Sequence, residues 1–531
     1  MGVTRAAGME RSGEGRGGEM GRWALAFAAA LLLVPIALVF RPGTDQTLFL
    51  DYAAEMLGGA RLYVDVWDNK QPGIFALYAA IQAALGPGWD RVLIGYAAWM
   101  CAAAATAALV VRMVAPAASA IWLAAVPFTL GVVWLRSGTS QVAQIEEWVA
   151  LPLTAILMLA LRPEAPGLPA RGRWFAIGLL AGGVSLLKLV LAPVPVAIAA
   201  AVFVARMRAD RLPVRHLVAA LAWATAGVAL VWLPTLAWFA ANGTWDAFWW
   251  TNFDYPRLAM TATERAPWRR LVASMTWLGT ATLPMWPAIL LAVVGAWRAP
   301  RSTLARLVAG AIAWWVAGLA MIVAQKFSWW GYHMLLLVWP MGVLAAAGCA
   351  AAWGEVGRSR WASRVAVAVC AAGLAVFAGH VAWKLWRGTD WPYSADTRAV
   401  KATARELGRA ATPACGTSVT IGDQNGLQAA TGLRRAMATN AVFWGAYLPS
   451  QIERLPAELR RARPDLVFMD ADQRDHLAAA FPAVLAEIEQ WLARDYVSRG
   501  TDAMRGRWWE RAPSARDGTC PAREPFAIPG R

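Results

Sequence analysis

Apolar runs of membrane-spanning length recur along the chain, separated by short Arg-rich turns and by loops rich in acids and Trp. They lie at about 23–40, 92–111, 117–135, 148–161, 174–189, 191–205, 217–240, 271–297, 304–324, 334–353 and 365–386, or about eleven crossings at ~20 residues per span. The stretch 174–205 exceeds one span and carries Lys188, Pro193 and Pro195, so it divides into two. The run 72–85 is shorter than a span and reads as an amphipathic helix on the membrane surface.

Three regions follow from this pattern. Residues 1–21 are Gly-, Arg- and Glu-rich without an apolar period and read as a disordered cytoplasmic arm. Residues 22–387 form a transmembrane domain whose first outside loop covers 41–91. The first span ends in Val-Phe-Arg-Pro without an Ala-x-Ala cleavage signal, as in an uncleaved signal anchor. From 388 to 531 the apolar character fades: Thr417–Gly422 and Asp465–Asp470 read as strands, Pro449–Arg463 and 473–494 as helices. The expected fold is thus an α-helical polytopic membrane protein with a small C-terminal α/β domain.

Composition agrees: 58% of residues are hydrophobic and 16% charged, against roughly 25% charged in a soluble domain. The arginines set an orientation. Arg112, Arg162/Arg171/Arg173, Arg206/Arg208/Arg211/Arg215, Arg298/Arg301/Arg306 and Arg358/Arg360/Arg364 fall in alternate turns, which belong in the cytoplasm with the N-terminus. The acid-rich first loop, the loops 136–147, 241–270 and 325–333, and the tail then lie outside. The same distribution accounts for the net charge of +16 and excludes a nucleic-acid partner as its reason. Cys101, Cys349 and Cys370 lie in apolar spans, whereas Cys415 and Cys520 lie near the two ends of the tail, where export would permit a disulfide or leave two free thiols.

Candidate chemistry gathers in the outside loops. Asp45 follows the first span directly, where a carboxylate can face a cavity and serve as a base toward a hydroxyl. Asp68 and Lys70 flank a turn into Pro72-Gly73; they either form an interfacial salt bridge or hold a metal ion and a phosphate. Asp51 and Glu55, one helical turn apart, read as a solvated helix face. In the second loop Glu146 is preferred over Glu147 as the acid that faces the same cavity. Lys188 either snorkels or contacts a lipid phosphate. Arg265 and Arg269, in a Trp-rich loop, can grip phosphate oxygens, and Lys326 and His333 occupy the last outside loop among aromatics. Asp423 and Asp470 follow strands in the tail, where acids are usually just solvated.

The Asp after the first span, the string Gly59-x-x-x-Tyr63-x-Asp65-x-Trp67-Asp68-x-Lys70-x-Pro72, and the late Lys with His resemble the GT-C glycosyltransferases over about residues 23–386, in particular the bacterial protein-mannosyltransferase and lipid A aminoarabinose transferase branch. The resemblance implies an inverting enzyme of the bacterial cytoplasmic membrane. It would move a monosaccharide from a polyprenyl-phosphate donor to a protein, lipid or glycan acceptor on the outer face. It also implies roles: Asp45 and Glu146 or Glu147 catalytic, Asp68 and Lys70 on a metal and the donor phosphate, and His333 as the His that starts a late span. Taken with the residue reading above, the expected sites are Asp45 and Glu146 as catalytic, Lys70, Lys188, Arg265, Arg269 and Lys326 on the donor phosphate, and Asp68 and His333 on a divalent metal (Mg2+, Mn2+ or Zn2+), if one is used. Two other classes stand beside it, a transporter or flippase of lipid-linked sugar and a non-catalytic envelope-assembly protein. A transporter calls for charges deep in its spans, whereas the acids here collect on one face.

Overall fold

The structure is a computed structural model that describes residues 44–114, 142–163, 171–210, 213–262, 267–325, 329–356 and 395–410 and most of 416–528. The spans expected at 23–40, 117–135 and 365–386, and the arm 1–21, lie outside the described residues.

Two short helices open the described chain, α1 (Thr44–Leu57) and α2 (Pro72–Leu85), the second over the range 72–85 expected to be helical. Helix α1 buries Leu48, Phe49, Tyr52 and Ala53 on one face, and Phe49 meets Phe75 and Tyr78 of α2 edge-on at 5.8 and 5.4 Å. Then come α3 (Trp89–Val114), the single turn α4 (Ile145–Trp148), α5 (Ala150–Leu161), α6 (Arg171–Leu187), α7 (Pro193–Asp210) and α8 (Val214–Ala241). The break expected within 174–205 is real: α6 stops at Leu187, Leu189–Leu191 is a 3-10 turn, and α7 starts at Pro193, the residue type suited to a first helical turn. Helices α6 and α8 cross closely, because a Cβ on Gly178 or Gly227 would lie 2.0 or 2.2 Å from a carbonyl oxygen of the facing helix. Small residues let the backbones approach where apolar burial in lipid supplies no drive.

Next are α9 (Trp245–Trp249), a π-turn at Trp250–Asp254, α10 (Tyr255–Ala262), α11 (Trp268–Thr282), α12 (Trp286–Arg298), α13 (Thr303–Ala324) and α14 (Leu335–Val356). The single span expected at 271–297 is instead the pair α11 and α12, bent by 83°. Pro284 and Pro287 flank the bend, and proline removes a helical hydrogen bond and clashes with the preceding turn. Among the described residues five helices are long and apolar enough to cross a membrane, six if the bent pair counts as one span. Helix α14 is the central one, buried along nearly its whole apolar length.

In the tail, α15 (Ala395–Ala410) precedes a mixed sheet: β1 (Thr417–Ile421), α16 (Asn425–Thr431), β2 (Arg434–Arg435), β3 (Ala441–Val442), α17 (Pro449–Ala462), β4 (Leu466–Met469), α18 (Ala471–Ala480), α19 (Pro482–Asp495), β5 (Tyr496–Thr501) and β6 (Arg507–Arg511). The strand order is β2-β1-β4-β6-β5, with β3 also on β1; β1 and β4 are parallel and the β5–β6 hairpin antiparallel. The one helix expected at 473–494 is two, divided at Phe481-Pro482. Asp470 caps α18, accepting the Asp472 N–H at 2.9 Å, and Asp423 lies outside the described residues.

Candidate active site

The segment between α1 and α2 folds into a tight hairpin-like turn. Arg61 pairs with Asp65 at 3.0 Å and donates its backbone N–H to the same carboxylate at 2.8 Å. Tyr63 takes a left-handed conformation, φ 69°, which is rare for a bulky residue and requires support from its surroundings. Its N–H bonds the Val66 carbonyl at 2.6 Å and its buried hydroxyl donates to the Lys70 carbonyl at 2.7 Å. The chain therefore returns on itself and presents Trp67 to Lys70 toward the start of α1.

There Lys70 Nζ lies 3.1 Å from Asp45 Oδ1 and 3.2 Å from Asp68 Oδ1, with its ammonium 5.6 Å above the Phe49 ring. Asp68 also accepts the Lys70 backbone N–H at 3.0 Å, a local turn that Asp favours. Burial pushes the Asp68 carboxyl up, against the pull of the Lys70 ammonium. For Lys70 burial acts downward, but Asp45 and Asp68 outweigh it and hold the amine above its usual range. Asp45 sits in the first turn of α1, where a negative charge meets the positive end of the helix dipole. Its other oxygen accepts from Gln144 Nε2 at 3.2 Å.

A second cluster lies beyond Gln144. Ala143 is left-handed, φ 59°, and this kink sends the two adjacent acids to different partners. Glu147 accepts the Tyr96 hydroxyl at 2.6 Å and the Ala143 N–H at 2.7 Å, a buried structural role. Glu146 Oε1 meets Lys188 Nζ at 2.6 Å and His333 Nδ1 at 2.7 Å, and all three are mostly buried. Lys188 lies at the α6–α7 break and reaches 3.4 Å from His333 Nδ1, so it faces the cluster and does not snorkel. His333 Nε2, buried, has no hydrogen-bond partner among the described residues. Gly73 brings the two clusters close, since a Cβ there would lie 2.5 Å from the Leu186 carbonyl oxygen. Gly73→Ala is expected to cost roughly 1–3 kcal/mol through overpacking, read as a lower Tm in detergent, and to weaken any activity that needs both clusters.

Six of the expected residues thus converge: Asp45, Asp68, Lys70, Glu146, Lys188 and His333. Arg269 stays exposed on α11 and joins neither cluster; Arg265 and Lys326 lie outside the described residues. Cys520 is disulfide-bonded, and Cys415 lies outside the described residues. Asp68 and His333, the residues expected on a metal, do not face each other. Each belongs to a different cluster, Lys70 occupies the space between the Asp45 and Asp68 carboxylates, and no three His, Cys, Asp or Glu converge among the described residues.

The sequence pattern held no signal for several supporting residues. Gln144, Thr251 and Tyr255 are ordinary loop residues in sequence. In the structure Trp67 donates to Thr251 Oγ1 at 3.0 Å and Asn69 to the Tyr255 hydroxyl at 3.2 Å. The π-turn at Trp250–Asp254 sets these two against the Trp67–Lys70 turn; such bulges often occur at functional sites.

Compared with solved structures, the chain matches ArnT from Cupriavidus metallidurans bound to undecaprenyl phosphate over 94% of its own length and 99% of that chain, with TM-score 0.59 and 14% identity. The chain therefore shares the fold of that protein. Weaker matches are the oligosaccharyltransferase AglB from Archaeoglobus fulgidus, solved with an inhibitory peptide and a dolichol-phosphate (11% identity, 93% of this chain and 75% of that one, TM-score 0.48), and the mycobacterial arabinofuranosyltransferase AftD (15%, 93% and 40%, 0.47). No family model and no curated protein sequence matches the chain. The likeness to ArnT extends into the tail as well as the apolar helices, since the alignment omits only 6% of the chain.

Proposed function

We propose that the protein is a glycosyltransferase that moves a monosaccharide from a polyprenyl-phosphate donor to an acceptor hydroxyl, with inversion at the anomeric carbon. The Asp45–Lys70–Asp68 arrangement carries this reading. A lysine held protonated lies 3.1 Å from a carboxylate that is still 23% exposed. A cation for a leaving phosphate and a base for an attacking hydroxyl are thereby adjacent. The undecaprenyl phosphate in the ArnT neighbour supports the donor class.

In this reading the donor phosphate takes a place at the Lys70 ammonium and loosens its grip on Asp45. The acceptor oxygen attacks the anomeric carbon, its proton passes to the Asp45 carboxylate, and the carbon–oxygen bond to phosphate breaks to release polyprenyl phosphate. Charge builds on the phosphate oxygens as that bond breaks, so a fixed ammonium there stabilises the transition state more than the ground state. Glu146 is already engaged by two cationic or donor groups and 3% exposed; it holds Lys188 and His333 in place and leaves the base role to Asp45. Lys188 offers a second cation to the donor. The Arg-rich turns support a bacterial inner-membrane orientation with the N-terminus inside and both the site and the tail outside.

The test is protein in nanodiscs with a panel of radiolabelled polyprenyl-phosphate sugars and a membrane extract as acceptor, with and without EDTA. One donor should lose its label to the acceptor. Loss of transfer in EDTA would place a divalent ion near Asp68, and an unchanged rate would leave the phosphate to Lys70. No transfer from any donor by folded protein would overturn the reading.

A further inference from the structure

We propose that Arg523 and the stretch Pro525 to Ile528 form a strap that sets the distance between Asp45 and the Asp68–Lys70 turn, with Phe526 and Arg523 as positioning residues. The inference deepens the glycosyltransferase reading and rests on it for its kinetic readout only.

The Phe526 ring stacks on the Trp67 indole, centroids 4.4 Å apart and planes within 5°, and lies 5.3 Å from Trp250. Its N–H bonds the Val64 carbonyl at 2.9 Å. Arg523 donates to the Asp65 carbonyl at 3.1 Å and ion-pairs with Glu55. At the far end Arg454 of α17 holds the Ala527 carbonyl at 2.8 Å. Cys520, three residues before Arg523 in sequence, is disulfide-bonded.

These contacts fall on the two elements that carry the chemistry. Trp67 precedes Asp68 directly. Its indole is fixed on its edge by Thr251 and on its face by Phe526, and its backbone N–H bonds the Ala438 carbonyl at 2.8 Å. Glu55 lies in the last turn of α1, whose first turn carries Asp45. One carboxylate oxygen of Glu55 takes Arg435 at 2.5 Å and the other takes Arg523. Arg523 thus joins α1 to the Asp65 backbone through one guanidinium, spanning the base helix and the lysine turn. Placing reacting groups within a fraction of an ångström matters for rate, and a shift of about 1 Å costs on the order of 100-fold.

The experiment uses the full chain in nanodiscs and compares Phe526→Ala, Phe526→Tyr and Arg523→Ala with wild type. It measures steady-state kinetics on the lipid-linked sugar found active and amide hydrogen exchange of residues 62–71. Phe526→Ala and Arg523→Ala should each lower kcat by roughly 10- to 100-fold, with KM changed less and Tm nearly kept, and both should speed exchange in 62–71. Phe526→Tyr, which keeps the stacked ring, should restore both readouts. Wild-type kcat with unchanged exchange in Phe526→Ala would overturn the strap. So would a lowered Tm with unchanged kcat per folded molecule, since that is what a merely structural contact gives. If the wild-type protein transfers nothing, the functional reading fails, and the exchange data alone still decide whether the strap holds the turn.

Discussion

Asp45→Asn is expected to lower transfer by about 100- to 10,000-fold, the range for losing a general base, while leaving donor binding nearly intact. The substitution keeps the size of the side chain and its bond from Gln144 Nε2, now 3.2 Å from the carboxylate. It removes the proton acceptor and one of the two negative charges on Lys70. The loss should therefore appear in kcat, with KM for the lipid-linked sugar unchanged or lower, because Lys70 becomes freer to hold phosphate. Single-turnover label transfer in nanodiscs checks this. A wild-type kcat in the Asp45→Asn variant would remove Asp45 from the mechanism.

Lys70→Met is expected to have the other large effect, and on two quantities. Activity should fall by on the order of 100- to 1,000-fold, as when one fixed donor to a developing oxyanion is lost, with KM for the donor raised as well. Stability should fall too, since Asp68 is then buried beside Asp45 without a cation. Breaking such a pair costs roughly 3 kcal/mol, at the low end because Lys70 keeps 23% of its side chain exposed. Adding Asp68→Asn removes the stranded charge. The double variant should regain most of the lost Tm and none of the activity, which separates folding from phosphate binding. Lys70→Arg should not substitute fully, because a planar guanidinium cannot occupy the same point between two carboxylates.

Much of the fold was legible because lipid imposes strict rules. Span length, proline positions and the placement of Arg in alternate turns are composition signals, and they located α3, α7, α8, α13 and α14 to within a few residues. The 83° bend between α11 and α12 was missed because the apolar run 271–297 is continuous and only Pro284 and Pro287 mark the corner. In the tail β1 and β4 read clearly as apolar strands. The β5–β6 hairpin did not, since its segments Tyr496–Thr501 and Arg507–Arg511 carry charges and exposed positions.

The site divides in the same way. The acids after the first span stood out as carboxylates at a membrane edge. Which of Glu146 and Glu147 faces the cluster depends on the left-handed Ala143 and on Tyr96, which lies 51 residues away from Glu147 in sequence. No local pattern encodes that. Lys188 is similar: its break in the helix was visible, but its partner lies 42 residues earlier.

The Glu146 cluster has a consequence for how the protein is made. Lys188 is synthesised 42 residues after Glu146 and His333 187 residues after it. At roughly 5–20 residues per second, Glu146 waits on the order of 10–40 s for its histidine. Lys188 follows Glu146 after only about 2–8 s and can pair with it, but the pair lacks its histidine until the central helix α14 arrives, so the α4–α5 segment completes its packing late. A nascent chain arrested before residue 188 would therefore present a stranded acid, an exposed mark by which a membrane protease distinguishes unfinished copies from finished ones.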